Sequence, residues 1–434
     1  MSIVVVTDGG AVRETPVMVE RPADIRIDDL NEPRYSDDIA AAFELVAPMA
    51  DAIPWTAEGL LAQAAEETGL DDFGAGDFEE PMGVLVGAMA AEGALSSLGR
   101  FSHWSTLVGL ARNRALITDL LKRHPEIHDV EITAPIVIAG QGRTGTTHMH
   151  NLMSADPSLR TLPYWESVEP VPPLAEQGQT FEVDPRYTRT EESLAGLNVT
   201  LPHFRRMHDM YADHVHEEIQ LLAIGFSTML FETMAIMPSW KAWYVAHDQT
   251  PFYEYMKTIL KALSWLRPAG DRWLLKSPQH VEQYAALMNV FPDAVVVRTH
   301  RDPAAIAGSM ATMVQYTGRM SREPDRVHEI GPYWVGRLTE MCQAAADQRD
   351  LVPADRVIDV RFDDFMVDDV AMIERIYEVA DQPFTAAVRA NMERFMVDHP
   401  RGKYGRVAYD LADFGSSAEA VRAACSDYRD AFGV

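Results

Sequence analysis

Apolar residues recur at helical spacing through residues 39–46, 56–68, 84–95 and 104–121, which predicts a mostly helical stretch from about 37 to 123. The acidic, glycine-containing run 71–80 interrupts it and reads as a loop. Beyond residue 130 the pattern changes. Short apolar runs at 136–139, 272–276, 294–298 and 357–362 are each followed by a polar turn and then by helical spacing, to about residues 156, 290, 315 and 381 respectively. Continuous apolar runs suit strands buried on both faces, and strands alternating with helices imply right-handed crossovers within a parallel sheet. The expected fold is α/β: a P-loop-like, three-layer arrangement with a central parallel sheet and an N-terminal helical extension. The division falls near residue 130, with the extension at 1–130 and the α/β domain at 131–434. Within the latter, 162–166 reads as extended, the stretch after 171 as polar and strand-poor, and 204–237 and 253–266 as helical. Residues 1 to about 30 predict no firm element.

Composition narrows the partners. The 434 residues carry a formal charge of −27, which repels nucleic acid and anionic membrane. An acidic chain that binds a polyanion must gather its few basic residues in one place. The two cysteines, Cys342 and Cys425, supply neither a disulfide framework nor metal spacing and fit a reducing cytosol. The opening Met1-Ser-Ile-Val-Val-Val has no basic region and too short an apolar core for a signal peptide. The most apolar run, 221–231, is about half the length needed to cross a bilayer and reads as a buried helix. These features predict a cytoplasmic protein with no integral membrane segment and no nucleic-acid partner.

The chemistry concentrates where the first apolar run ends, at Gly140-Gln-Gly-Arg-Thr-Gly-Thr-Thr147. A glycine turn between a strand and a helix N-terminus aims backbone N–H groups and the helix dipole at an anion. Thr146 stands where a nucleotide triphosphatase carries its phosphate-gripping lysine, which argues against ATP or GTP. Arg143 supplies a charge instead. A second anchor closes the 294–298 run: Arg301, with Ser309 eight residues on, about two helical turns. A guanidinium with a partner hydroxyl suits a phosphate monoester. Both anchors stand at strand C-terminal ends, where open α/β sheets bind ligands.

Arg143-Thr-Gly-Thr-Thr147 resembles the 5′-phosphosulfate loop of sulfotransferases that use 3′-phosphoadenosine 5′-phosphosulfate (PAPS), and Arg301 with Ser309 resembles the family's 3′-phosphate pair. The resemblance spans about residues 95–425. It implies PAPS as co-substrate, no metal, and sulfuryl transfer to a small-molecule acceptor. The donor site would comprise Arg143, Thr144, Gly145, Thr146, Thr147, Arg301 and Ser309, joined by Arg401, Gly402 and Lys403, which resemble a variant of the basic loop folding over the 3′-phosphate. Lys276, in Trp273-Leu-Leu-Lys-Ser-Pro278, looks like the strand-end lysine of tyrosylprotein sulfotransferases, directed at the leaving oxygen. Arg143 would share that role. The branch with arginine in the first loop uses a glutamate after the first helix as base, which points to Glu166. Its rivals are His280, His208 and His216 with Glu217 and Glu218. Metal binding by His148 with His150, or by His214 with His216, is disfavoured because positions two apart face opposite sides of a helix.

Apolar and methionine-containing segments between 164 and 266 lean towards a lipophilic acceptor such as an alcohol, sterol or phenol. The methionines of 229–237 and 310–320 are candidates to line its pocket, although core packing suits most of them better. Two alternatives come from other classes: a small-molecule kinase, and a non-catalytic nucleotide-binding protein. Neither the acceptor's identity nor the oligomeric state is written in any motif.

Overall fold

The computed structural model describes residues 22–434, so the opening stretch read above for a leader lies outside the described residues. Seven strands occur among the described residues: β1 (Ile25–Arg26), β2 (Ile136–Gly140), β3 (Leu159–Arg160), β4 (Arg272–Lys276), β5 (Val295–His300), β6 (Val357–Arg361) and β7 (Val407–Ala408). Five of them form one parallel sheet in the order β3-β4-β2-β5-β6, while β1 pairs with β7 apart from it. β2 and β5 are buried throughout, as continuous apolar runs require. The chain crosses from one side of β2 to the other between β4 and β5. That reversal opens a crevice at the strands' C-terminal ends.

The pleat sends alternate residues into two cores. Ile136, Ile138, Leu274 and Val297 join Met149, Leu152 and Met153 of the helix Thr146–Met153 and Ile373 and Ile376 of Asp369–Ala380. Val137, Leu275 and Val296 face the larger core, which includes Leu107 and Ile117 of the helix Ser97–Arg123, Ile259 of Thr250–Leu266 and Trp334 of Ile330–Asp347. Each such side chain contributes roughly 1.5–3 kcal/mol on burial. The helices Asp37–Asp51, Ala57–Thr68, Glu79–Glu92 and Ser97–Arg123 follow the predicted periodicity. Ser36, Thr56 and Ser96 cap three of them by accepting a backbone N–H. These helices share one continuous core with the sheet.

Three stretches depart from expectation. The loop at 71–80 gives way early to the helix Glu79–Glu92, whose acidic first turn suits the helix dipole. The polar stretch after 171 contains the helix Pro185–Thr200, started by Asp184 as cap and Pro185 at its first turn. The continuous helix expected over 204–237 is absent: short turns Phe204–Arg206 and Met229–Thr233 flank the five-residue helix Ile219–Ala223. Phe226 adopts a left-handed φ of 58°, and the next side chains, Ser227 and Thr228, are committed to Gln249 and Gln279. The apolar run 221–231 is thus buried but broken. The stretch 162–166, expected to be extended, turns after Pro163 into the short helix Tyr164–Val168. No helix among the described residues is long and apolar enough to cross a membrane.

Candidate functional site

The crevice is built from the end of β2. A Cβ on Gly140 would fall 1.8 Å from Thr299 Oγ1 of β5, so only glycine ends the strand here. The Thr144 hydroxyl donates to the Gln141 carbonyl and accepts from Thr299, at 2.6 Å each, so it tightens the turn and faces inward. Gly145 has φ 89°, which suits glycine, but Arg143 also stands in the left-handed region at φ 72°. A side chain there costs on the order of 1 kcal/mol, the kind of local strain that clusters at binding sites. Arg301 stabilises it by donating from Nη1 to the Arg143 carbonyl at 2.8 Å. The following helix, Thr146–Met153, has no side-chain N-cap, so its first N–H groups are left for a ligand.

Arg143 donates from Nε to Ser309 Oγ (2.8 Å) and from Nη1 to the Met207 carbonyl (2.7 Å), while Arg301 lies 4.1 Å over the Phe362 ring. Two anchors about 150 residues apart in sequence therefore meet at one cleft of about 650 Å³. Burial, and secondly Arg301, push the Arg143 pKa down, though not far enough to discharge a guanidinium. Seven arginines and lysines line the cleft against a single carboxylate, Asp209. In a chain of net charge −27, that is a concentrated anion seat.

Gly145, Thr146, Thr147, Arg301, Ser309, Arg401, Gly402 and Lys403 all line this cleft with Arg143. The 399–409 segment forms its outer wall. There Arg401 pairs with Asp369 and touches His148, and Lys403 pairs with Asp209 at 2.8 Å. Tyr404 accepts from Arg205 at 2.9 Å beneath that guanidinium. The β1–β7 pairing clasps the segment immediately after it.

Lys276 ends β4 in register with Ile138 but does not line the cleft. Its side chain is 3% exposed and its ammonium pairs with Glu217. Burial, then Lys276, push His214 down to about 4. Burial first, with Lys276 contributing, holds His150, His208 and His216 well below the ordinary imidazole range as well. All four are neutral near pH 7, and His208 and His214 line the cleft. His280 is committed elsewhere: it bonds Glu218 (2.6 Å) and Tyr253 (2.8 Å), and Glu218 also accepts the Lys276 backbone N–H.

Glu166 is not brought to the cleft. It is 2% exposed and accepts from Arg160 at 2.8 Å and from Arg267 at 2.7 and 2.9 Å. Arg160 pairs in register with Trp273 and Arg267 precedes β4, so this cluster sits towards the strand starts. With both oxygens bonded to guanidiniums, this carboxylate is poorly placed to take a substrate proton. The methionines at 229, 237, 310 and 320 are core residues; Met207 and Met366 line the cleft instead. His148 and His150 face different surroundings, and no group of residues able to hold a metal occurs among the described residues. Sequence reasoning passed over Arg205, Arg206, Tyr211, Phe362 and Tyr404 as wall residues. The Arg205-Arg206 doublet in so acidic a chain was the available signal.

A profile described as the sulfotransferase family matches residues 135–386. Among solved structures, sulfotransferase STF1 from Mycobacterium tuberculosis is similar at 29% identity and a TM-score of 0.74, covering 86% of this chain and 98% of its own. Sulfotransferase STF9 from Mycobacterium avium is similar at 26% identity and 0.77, covering 87% and 97%. No curated protein matches.

Proposed function

The chain belongs to the sulfotransferase family and is an enzyme of sulfuryl transfer, and we propose that its donor is PAPS and its acceptor a small lipophilic alcohol, sterol or phenol. The observation that carries the donor reading is the Arg301–Arg143 contact, which joins a lysine-less glycine loop and an Arg–Ser pair at one basic cleft. The loop N–H groups and Arg143 would take the 5′-phosphosulfate. Arg301 and Ser309, closed over by Arg401, Gly402 and Lys403, would take the 3′-phosphate. Met207, Tyr211, Met366 and Phe395 give the cleft apolar wall on which a lipophilic acceptor can rest.

Transfer is read as an in-line displacement. The acceptor oxygen attacks sulfur as the sulfur–oxygen bond to phosphate breaks, and Arg143 and Lys276 offset the charge gathering on the departing phosphate. His208 is the better-placed base: it is neutral and lines the cleft, whereas Glu166 is held by Arg160 and Arg267. Thermal shift with the product nucleotide 3′-phosphoadenosine 5′-phosphate against ATP and AMP tests the donor. Stabilisation by the bisphosphate alone is expected, and equal stabilisation by ATP would overturn it. Labelled PAPS offered with alcohols, sterols, phenols and sugars tests the acceptor, and transfer confined to sugars would overturn that class.

A further inference from the structure

Four imidazoles converge behind the wall of the cleft. His150 comes from the helix after the glycine loop, and His208, His214 and His216 from the segment that passes over it. The His208 ring lies 6.1 Å from His214 and 6.4 Å from His216. Nδ1 of His214 has no hydrogen-bond partner among the described residues. Buried polar atoms of this kind are uncommon in a stable core and mark a place where charge or protons are handled. The charge of Lys276 acts on all four rings, and among the described residues its ammonium pairs with Glu217. The other charged or titratable groups nearby are Arg143 on the His208 side, and Asp209 and Lys403, with His399, on the His214 side. Glu218 is spent on His280 and the Lys276 backbone.

A lysine that must meet the leaving oxygen cannot remain tied to a carboxylate. We propose that Glu217 is a positioning residue that hands its charge over: it neutralises Lys276 until the donor arrives, then, as the ammonium turns to the donor's bridging oxygen, it faces the imidazole cluster and strengthens His208 as base. The handover rests on the PAPS reading above. It makes proton removal conditional on a seated donor. In the step itself the acceptor O–H bond breaks and its proton goes to His208, and a new oxygen–sulfur bond forms. The old sulfur–oxygen bond breaks with its electron pair left on phosphate, against Lys276. Glu217 then balances the imidazolium, which loses its proton to solvent through the cleft.

Glu217→Gln is the test. Freed of its partner, Lys276 should bind 3′-phosphoadenosine 5′-phosphate about five- to tenfold more tightly, because no ion pair need be broken first. At the same time kcat should fall at least about tenfold, and the acidic limb of the kcat profile should move down by about one pH unit, since the imidazole loses a nearby negative charge. Glu217→Asp, which keeps the charge, should restore much of both. Wild-type kcat and an unmoved limb in Glu217→Gln would overturn the handover while leaving the donor reading intact. Failure of the wild type to bind the bisphosphate over ATP would remove the donor reading and the handover together. Should Glu217→Gln not fold, histidine C2–H NMR of the wild type decides: the bisphosphate should raise one cluster imidazole's pKa by about one unit, and no rise overturns the proposal.

Discussion

Two groups of arginines in this molecule meet opposite fates. At the strand starts, Arg160 and Arg267 close on Glu166, and the two guanidiniums share one carboxylate. At the strand ends, Arg143 and Arg301 bond only to carbonyl and hydroxyl oxygens and to an aromatic face, with no carboxylate beside them. The first group is self-sufficient and holds the fold together. The second leaves its charge open to an anion from outside, as the proposed donor site requires. A guanidinium therefore marks a binding site by the chemistry of its partners, since its burial does not separate the two groups.

Acid should act most strongly, and on the cleft side. An ordinary imidazole titrates at 6.5, whereas burial pushes His214 and His103 down to about 4 and holds His150, His208 and His216 well below the ordinary range. Between those values the unfolded chain binds protons that the native chain refuses, so stability falls as pH drops below about 6.5 and the loss saturates near the folded pKa of each ring. Several such groups together should cost several kcal/mol by about pH 4.5, visible as a falling melting temperature; a flat profile from pH 7 to 4.5 would contradict it. Next comes a pair of opposite outcomes. Glu166→Gln strands two guanidiniums and should cost roughly 3 kcal/mol of stability with nucleotide affinity nearly unchanged. Arg301→Ala should weaken binding of 3′-phosphoadenosine 5′-phosphate about a hundredfold with a small change in melting temperature. Calorimetry and titration on both variants break the comparison if the effects are exchanged. Smallest is Lys403→Ala. Lys403 already has Asp209, so only about a three- to fivefold loss of affinity is expected by titration, fading as salt rises.

The sheet was legible because β2, the middle of β4 (Trp273 to Leu275) and the first half of β5 (Val295 to Val297) are short apolar runs. The glycine loop and the Arg301–Ser309 pair were legible because each combines a turn with a charge at a strand end. Glu166 was misplaced because distance along the chain from Arg143 says nothing of the Arg160 and Arg267 that claim it; that is settled by how β3 lies against β4. The 204–216 wall was hidden for a related reason. Its apolar spacing imitates a helix, but its backbone is engaged with residues 162–165, as in His216 N–H to the Leu162 carbonyl and Tyr164 N–H to the His214 carbonyl. Lys276 was legible as a buried charge, while its partner Glu217 was visible only as one of two adjacent acids.

The clasp between Ile25–Arg26 and Val407–Ala408 has a consequence for how the protein is made. The cleft draws its walls from residue 143 through residue 409 and is latched by a strand from ahead of the first helix. A nascent polypeptide leaving the ribosome thus carries the glycine loop early but lacks a complete cleft until position 409 has emerged, so a ligand of the whole cleft can only reward the completion of folding.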